Sequence, residues 1–164
     1  MNHTKIQVTA EQRRNLITLA QYLQSDALKG RFHMALFEDC FGVSNYRTEC
    51  GSVGCAVGHG PYAGISKKKR ERWSTYAYRV FGISNRFAHS QVKWAWLFHS
   101  DWQYLDNTAI GASKRIILFL TVGIPQGFDC YTLTRRAGKN TVDLYAGIPS
   151  TWPEVLAAYP SLRQ

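Results

Sequence analysis

The sequence lacks the long hydrophobic runs that membrane-spanning and exported proteins need. No stretch approaches the roughly 18 consecutive apolar residues of a membrane-spanning helix, and an apolar run such as Ile116–Leu120 is far shorter. Residues 1–5 lead into a polar segment without the apolar region of a secretory signal peptide. We therefore expect a cytoplasmic protein that contacts no membrane.

Acidic residues are scarce. The 164 residues include 11 Asp and Glu against 20 Lys and Arg, a formal net charge of +9. Residues 66–93 hold eight basic residues against one acid, Glu71, so this segment alone carries +7. Such an excess attracts anions, including nucleic acid, nucleotides and acidic protein faces. The basic residues concerned are Lys67, Lys68, Lys69, Arg70, Arg72, Arg79, Arg86 and Lys93.

Catalytic signatures are also missing, so no catalytic residue is assigned. The glycine-rich stretch around Ser52 lacks the frame of a nucleophile elbow, and Gly58–Pro61 fits neither phosphate-loop pattern. The run His99-Ser100-Asp101 contains the residue types of a triad, but a triad is defined by geometry and neighbours in sequence rarely point at one another. A non-enzymatic role is favoured, with a small enzyme acting on nucleotides or a host target as an alternative.

The four cysteines are expected to be reduced thiols in a cytoplasmic chain. Cys50, Cys55 and His59 have a spacing that three zinc ligands tolerate, with Cys40 or His33 as a fourth, although the tight spacing of a zinc knuckle is absent. The competing interpretation is a pair of small buried thiols. No cofactor is predicted, and a structural zinc module remains the alternative.

Aromatic residues are abundant and indicate a well-filled core. Five Trp, nine Tyr and eight Phe accompany a hydrophobic fraction of 45%, and large rings bury much area at low entropic cost. Residues 91–105 concentrate them, and we assign this cluster, from Trp94 to Tyr104, to the core. We expect one domain spanning residues 1–164, since the chain is too short for two comfortable ones.

The first helix can be placed from its cap. Thr9 is a suitable N-cap residue, and Gln12 three positions later completes a capping box. Apolar residues within Leu16–Leu23 recur at helical spacing. The helix is predicted to end near Ser25.

A longer helix is predicted from Ser66 to the glycine stop at Gly82. Its apolar stripe within Trp73–Phe81 has the i, i+3, i+4 spacing of a buried face. The opposite face of this helix is then expected to expose three cations to solvent: Lys68, Arg72 and Arg79.

Three shorter signals complete the helical part. Ser52 is a candidate cap for a short helix that ends at Gly60. Residues 106–108 are expected to cap a central, buried helix over residues 109–122, and Pro153 is a favoured first residue for a last short helix.

The C-terminal part predicts a β-hairpin. Residues 131–134 and 141–145 alternate between polar and apolar side chains, and residues 137–140 between them are typical of a turn. The predicted fold is therefore mainly α, a compact single-domain helical protein with a small C-terminal β-hairpin. Three further cations lie at or near the hairpin tip and are candidates for a second contact with an anion: Arg135, Arg136 and Lys139.

The order of several short motifs resembles a group of small bacteriophage and prophage proteins. The motifs are an N-terminal leucine helix at Leu16–Leu23, Phe32-His33-Met34, a Cys-Gly-x-x-x-Cys-Ala-x-Gly run at Cys50–Gly58, a Tyr-x-x-Arg-Val-Phe-Gly helix end at Tyr76–Gly82, Trp96-Leu97-Phe98, and Asp-Asn-Thr-x-x-Gly-Ala at Asp106–Ala112. The resemblance covers roughly residues 10–125 and leaves residues 126–164 as an added hairpin and tail.

The resemblance implies a phage accessory protein acting in the bacterial host cytoplasm, but it implies no particular reaction. The chain departs from the pattern at residues 67–72, which are more basic, and at His59, where the pattern often has Trp. Together with the charge, this predicts binding of an anionic partner, which could be nucleic acid, a nucleotide signal or the acidic face of a host defence complex. The sequence predicts no oligomeric state.

Overall fold

The computed structural model of the chain describes residues 3–4, 7–28, 31–34, 53–84, 88–128 and 140–163. The helices are, in chain order, α1 (Ala10–Leu23), α2 (Trp73–Phe81), α3 (Ala88–Phe98), α4 (Trp102–Leu105), α5 (Ala109–Thr121), α6 (Asn140–Ala146), α7 (Trp152–Ala158) and a 3-10 helix (Pro160–Leu162). Two-residue strands form two small sheets, with β1 (His3–Thr4) antiparallel to β4 (Ile124–Pro125) and β2 (Arg31–Phe32) parallel to β3 (Val53–Gly54). The protein is mainly helical, as the sequence predicts.

Helix α1 begins at the predicted capping box. The Thr9 hydroxyl accepts the backbone N–H of Gln12 at 3.2 Å, and the Gln12 side chain accepts the backbone N–H of Thr9 at 3.0 Å. These bonds satisfy two donors that a helix start otherwise leaves without partners. The helix ends at Leu23, close to the predicted boundary.

Helix α5 forms the centre of the molecule, and Thr108 caps it as predicted by accepting the backbone N–H of Gly111 at 2.9 Å. Helix α1 packs directly against it, and the Ser113 hydroxyl donates to the carbonyl of Ala20 at 2.8 Å across the contact. None of the helices described is long and apolar enough to cross a bilayer.

Helix α2 begins at Trp73, so the prediction of a helix from Ser66 is wrong at its start. Residues 66–72 form an extended segment and a turn, because the Glu71 carboxylate accepts the backbone N–H of Lys68 and Arg70 has a left-handed backbone. The predicted glycine stop is confirmed, since Gly82 has a φ of +70°.

The predicted short helix after Ser52 is also wrong. Residues 53–54 form a strand and residues 56–64 a series of turns. Hydrogen bonds of the i→i+3 type, such as Gly60 N to Val57 O at 3.1 Å, interrupt the helical pattern, and Pro61 has no N–H to continue it. A β-carbon at Gly60 would collide with the Tyr76 hydroxyl, so this close approach requires glycine.

The C-terminal part differs from the predicted hairpin. Residues 141–145, expected as its second strand, lie in α6, because the helix buries Tyr145 against Trp96 and Trp102. Residues 131–134 lie outside the described part of the chain. Among the described residues the antiparallel sheet is instead the β1–β4 pair, and α7 begins at Trp152 with Pro153 in its first turn.

The aromatic cluster of residues 91–105 is core with one exception. Trp94, Trp96, Phe98 and Trp102 are buried, whereas the Tyr104 side chain is 79% exposed. The assignment of Tyr104 to the core is therefore wrong, because residues two positions apart on a helix lie on opposite sides and Trp102 takes the buried side of α4.

Two substitutions within this cluster test the difference in burial between Phe98 and Tyr104. Replacing Phe98, which contacts Phe81 and Trp94, by alanine is expected to lower the free energy of unfolding by about 3–5 kcal/mol, because it leaves a cavity. Tyr104→Ala is expected to change it by less than about 0.5 kcal/mol. Denaturant unfolding followed by tryptophan fluorescence measures both, and equal losses would contradict the burial described.

Candidate anion-binding site

The predicted cationic segment forms an exposed turn between two ordered parts of the protein. We call residues 66–72 the basic turn. Lys68, Lys69, Arg70 and Arg72 are exposed, and Lys67 is half-buried. The turn thus brings five of the predicted binding residues together within one short stretch of surface.

The start of the basic turn is fixed to the core. The backbone N–H of Ile65 donates to the carbonyl of Gly60 at 3.0 Å. The buried Tyr76 hydroxyl donates to the carbonyl of Ile65 at 2.7 Å. Because Tyr76 belongs to α2, this bond links the segment before the turn to the helix that follows it.

Glu71 closes the turn from the inside. Its carboxylate accepts the backbone N–H of Lys68 at 2.9 Å and two N–H groups of Arg79, each at 2.8 Å. A third hydrogen bond from Arg79 reaches the carbonyl of Ser66 at 2.9 Å. Arg79 therefore braces both ends of the basic turn, and the acid has its charge neutralised within the protein.

This pairing changes the ionisation of both groups. The hydrogen bonds from Arg79 are the main reason that the pKa of Glu71 is lowered to about 2. In return, the Glu71 carboxylate raises the pKa of Arg79. Glu71 consequently stays ionised, and Arg79 positions the turn rather than presenting a free cation to a ligand.

Arg70 adopts an unusual backbone conformation. Its φ of +62° lies in the left-handed region, and the backbone N–H of Glu71 donates to the carbonyl of Lys68 at 3.1 Å to close a four-residue turn around it. The third position of such a turn favours glycine or asparagine. A side chain here costs of the order of 1 kcal/mol.

Lys67 is held by an aromatic ring. Its ammonium group lies 4.7 Å from the centroid of the Trp73 ring, within the range of a cation–π interaction. The Trp73 ring in turn meets that of Tyr76 edge-on at 5.6 Å. This contact orients the first cation of the turn and covers the half-buried indole.

The other predicted cations are distributed differently. Lys93 lies on α3, where partial burial lowers its pKa. The remaining candidates lie outside the described residues: Arg86, Arg135, Arg136 and Lys139.

The cysteine and histidine candidates for zinc lie in a packed environment. Cys55 is buried, and burial raises the pKa of its thiol to about 11, which disfavours the thiolate that binds metal. The buried His59 ring stacks on Phe32 at 5.7 Å. Within the described ranges no group of three His, Cys, Asp or Glu residues is placed to hold a metal ion. Two of the proposed ligands, Cys40 and Cys50, lie outside those ranges.

The residues of triad type make a local turn. The Nδ1 atom of His99 accepts the backbone N–H of Asp101 at 3.2 Å. Because Nδ1 is an acceptor there, it does not donate to the Asp101 carboxylate as a catalytic histidine donates to its partner. This arrangement gives no support to nucleophilic catalysis.

A buried polar cluster around Arg115 was missed by sequence reasoning. The Arg115 side chain is fully buried, its guanidinium lies 4.0 Å from the centroid of the Trp102 ring, and its Nη1 donates to the Tyr145 hydroxyl at 3.2 Å. The Tyr145 hydroxyl donates to the Asp106 carboxylate at 2.8 Å. The available signal was an arginine directly before the apolar run Ile116–Leu120 of a helix expected to be buried, but its partners are nine and thirty residues away.

The Asp-Asn-Thr-x-x-Gly-Ala motif has a structural role in this cluster. The Asp106 carboxylate accepts the Thr108 hydroxyl at 2.5 Å, and Asn107 accepts the backbone N–H of Met34 at 2.8 Å. A β-carbon at Gly111 would collide with the Asp106 carboxylate. The motif therefore joins the start of α5 to α6 and to the β2 region.

Comparison of the chain with protein-family models, curated proteins and solved structures found no match.

The Glu71–Arg79 pair predicts a pH-dependent contribution to stability. Because folding lowers the pKa of Glu71 from 4.5 to about 2, the contribution is present above pH 4.5 and is lost as the pH falls towards 2. Wild type is expected to be more stable than Glu71→Gln near pH 7, with the difference shrinking below pH 4.5. Unfolding in denaturant at several pH values measures this, and a difference that stays constant with pH would count against the ion pair.

The Arg115 cluster predicts a cost for removing one hydroxyl. Tyr145→Phe leaves the Oδ2 atom of Asp106 without its hydrogen-bond donor and the Nη1 atom of Arg115 without its hydrogen-bond acceptor, so we expect a loss of about 1–3 kcal/mol in the free energy of unfolding. Tyr104→Phe removes a hydroxyl from an exposed ring and is the matched control, expected to be near neutral. Similar unfolding midpoints for the two variants would show that the cluster contributes little.

Proposed function

We propose that this protein binds an anionic partner through the basic turn. The observation that carries the proposal is the concentration of five cations on this one turn, whose only acid is neutralised from within by Arg79. Charge clustered in this way raises the local concentration of anions and speeds their association.

The side chains available for contact are those that the fold does not use. Within the described residues, four cations of the turn have no hydrogen-bond or ion-pair partner for their side chains: Lys68, Lys69, Arg70 and Arg72. Lys67 is held by Trp73 but remains partly exposed. Lysine supplies a mobile point charge, and arginine supplies a planar fork suited to phosphate or carboxylate oxygens.

The biological setting is part of the same proposal. The order of the sequence motifs supports a bacteriophage accessory protein that acts in the cytoplasm of its bacterial host. Occupying an anionic target is sufficient to modulate a host process such as defence, so the proposal requires no catalytic group. The alternative of a small enzyme has no supporting site among the described residues.

A paired-variant binding experiment tests the proposal. The probes are a labelled DNA duplex of about 20 base pairs and poly-L-glutamate, each titrated with the full chain at about 0.1 M salt. We expect wild type to bind at least one probe. We expect Lys68→Gln/Lys69→Gln to bind that probe at least about tenfold more weakly, because two charge contacts are lost.

The control removes the same charge elsewhere. Lys114→Gln/Arg163→Gln changes one cation on α5 and one after the 3-10 helix, and it is expected to retain most of the binding. No binding of either probe, or equal losses in the two double variants, would overturn the proposal. Circular dichroism of both variants establishes that each is folded.

A further inference from the structure

We infer that the partner of the basic turn is a nucleic acid, contacted through its phosphodiester backbone. This inference rests on the proposed function and narrows it to one class of partner. It is carried by the composition of the turn, the exposure of its cations and the backbone conformation of Arg70.

The composition of the turn argues against an acidic protein face. Residues 66–72 contain no apolar side chain, and the adjoining Trp73 ring is half-buried with Lys67 over it. The cores of protein–protein interfaces are built on aromatic and apolar anchors and are depleted in lysine. The turn therefore offers a protein partner charged contacts but no apolar side chain to serve as an anchor.

The exposure of the cations argues against a small nucleotide. Sites for small ligands enclose most of the ligand surface within a cleft. The free cations of the turn are instead exposed at the surface, as is expected for contacts to a long polymer. A nucleic acid offers a dense row of phosphates, and release of its condensed counterions supplies affinity without enclosure.

The backbone conformation of Arg70 indicates that its side chain serves binding rather than the stability of the fold. Among the described residues, positive φ angles elsewhere occur at glycines, such as Gly64 and Gly82, and Arg70 is the exception. Its side chain has no hydrogen-bond or ion-pair partner in the same part of the chain. Backbone strain of this kind is found preferentially at functional sites. The guanidinium of an arginine can bind two phosphate oxygens at once, which glycine cannot do because it has no side chain.

The turn is also ordered before any partner arrives. Arg79 connects its two ends through Ser66 and Glu71, and Trp73 holds Lys67. Prior ordering reduces the entropy lost on binding. We therefore assign Lys67, Lys68, Lys69, Arg70 and Arg72 to phosphate contact, and Glu71 and Arg79 to positioning.

Salt dependence gives the first readout. Five phosphate contacts to a duplex predict a slope of about −4.5 for the logarithm of affinity against the logarithm of salt concentration, or roughly a 500-fold loss between 50 and 200 mM. Poly-L-glutamate has a lower charge density and fewer condensed counterions, so we expect a shallower slope and at least about tenfold weaker binding at 50 mM.

Arg70→Gly separates folding from binding. The substitution relieves the left-handed backbone, so the thermal unfolding midpoint is expected to stay equal or rise. It removes one phosphate contact, so duplex affinity is expected to fall about five- to tenfold at 0.1 M salt and the salt slope to become shallower by about 0.9. The matched control, Lys114→Gln, removes one charge from α5 and is expected to leave the slope unchanged.

The outcomes distinguish this inference from the proposed function. One outcome would overturn the nucleic-acid assignment and leave anion binding standing. In it, wild type binds the duplex and poly-L-glutamate with equal affinity and equal salt slope, and Lys68→Gln/Lys69→Gln loses binding to both probes. Binding of neither probe would overturn both. Wild-type duplex binding by Arg70→Gly would overturn the role of Arg70.

Discussion

The three hydrogen bonds accepted by the Glu71 carboxylate shape the surface on which every functional argument depends. They join the backbone of Lys68 and the guanidinium of Arg79 to one partly buried acid and so fix the path of residues 66–72. The acid would otherwise weaken the attraction of the turn for anions. The pairing of Glu71 with Arg79 gives the turn a defined shape and leaves its remaining cations exposed to solvent.

A second polar centre serves the interior. Arg115, Tyr145 and Asp106 link α5, α6 and the segment after α4, and a buried charge is tolerated there because aromatic faces and a nearby carboxylate accompany it. One of the sequence motifs on which the proposed phage relationship rests, Asp106–Ala112, contributes to this centre. This motif therefore stabilises the fold. The proposed binding activity lies instead in the basic turn, which departs from the phage sequence pattern.

Local signals in the sequence predicted much of the helical framework. The capping box at Thr9, the cap at Thr108 and the glycine stop at Gly82 involve residues only a few positions apart, so the sequence contains all of the information they require. The prediction failed for the short helix after Ser52, where the bond from Gly60 N to Val57 O and the missing N–H of Pro61 interrupt the helical pattern. It also failed at Ser66 and over residues 141–145. There, contacts with Arg79 and Arg115, which are distant in sequence, outweighed local helix and strand preferences.

The sequence by itself determined that the protein is helical, basic and rich in buried aromatic rings, and that its positive charge is concentrated in one segment. Only the tertiary structure decided which of those charges are available to a partner. Glu71 and Arg79 are eight residues apart, and Arg70 differs from its neighbours through a backbone angle that its residue type does not favour. Pairing and strain of this kind depend on where distant groups meet in space, which spacing along the chain does not specify.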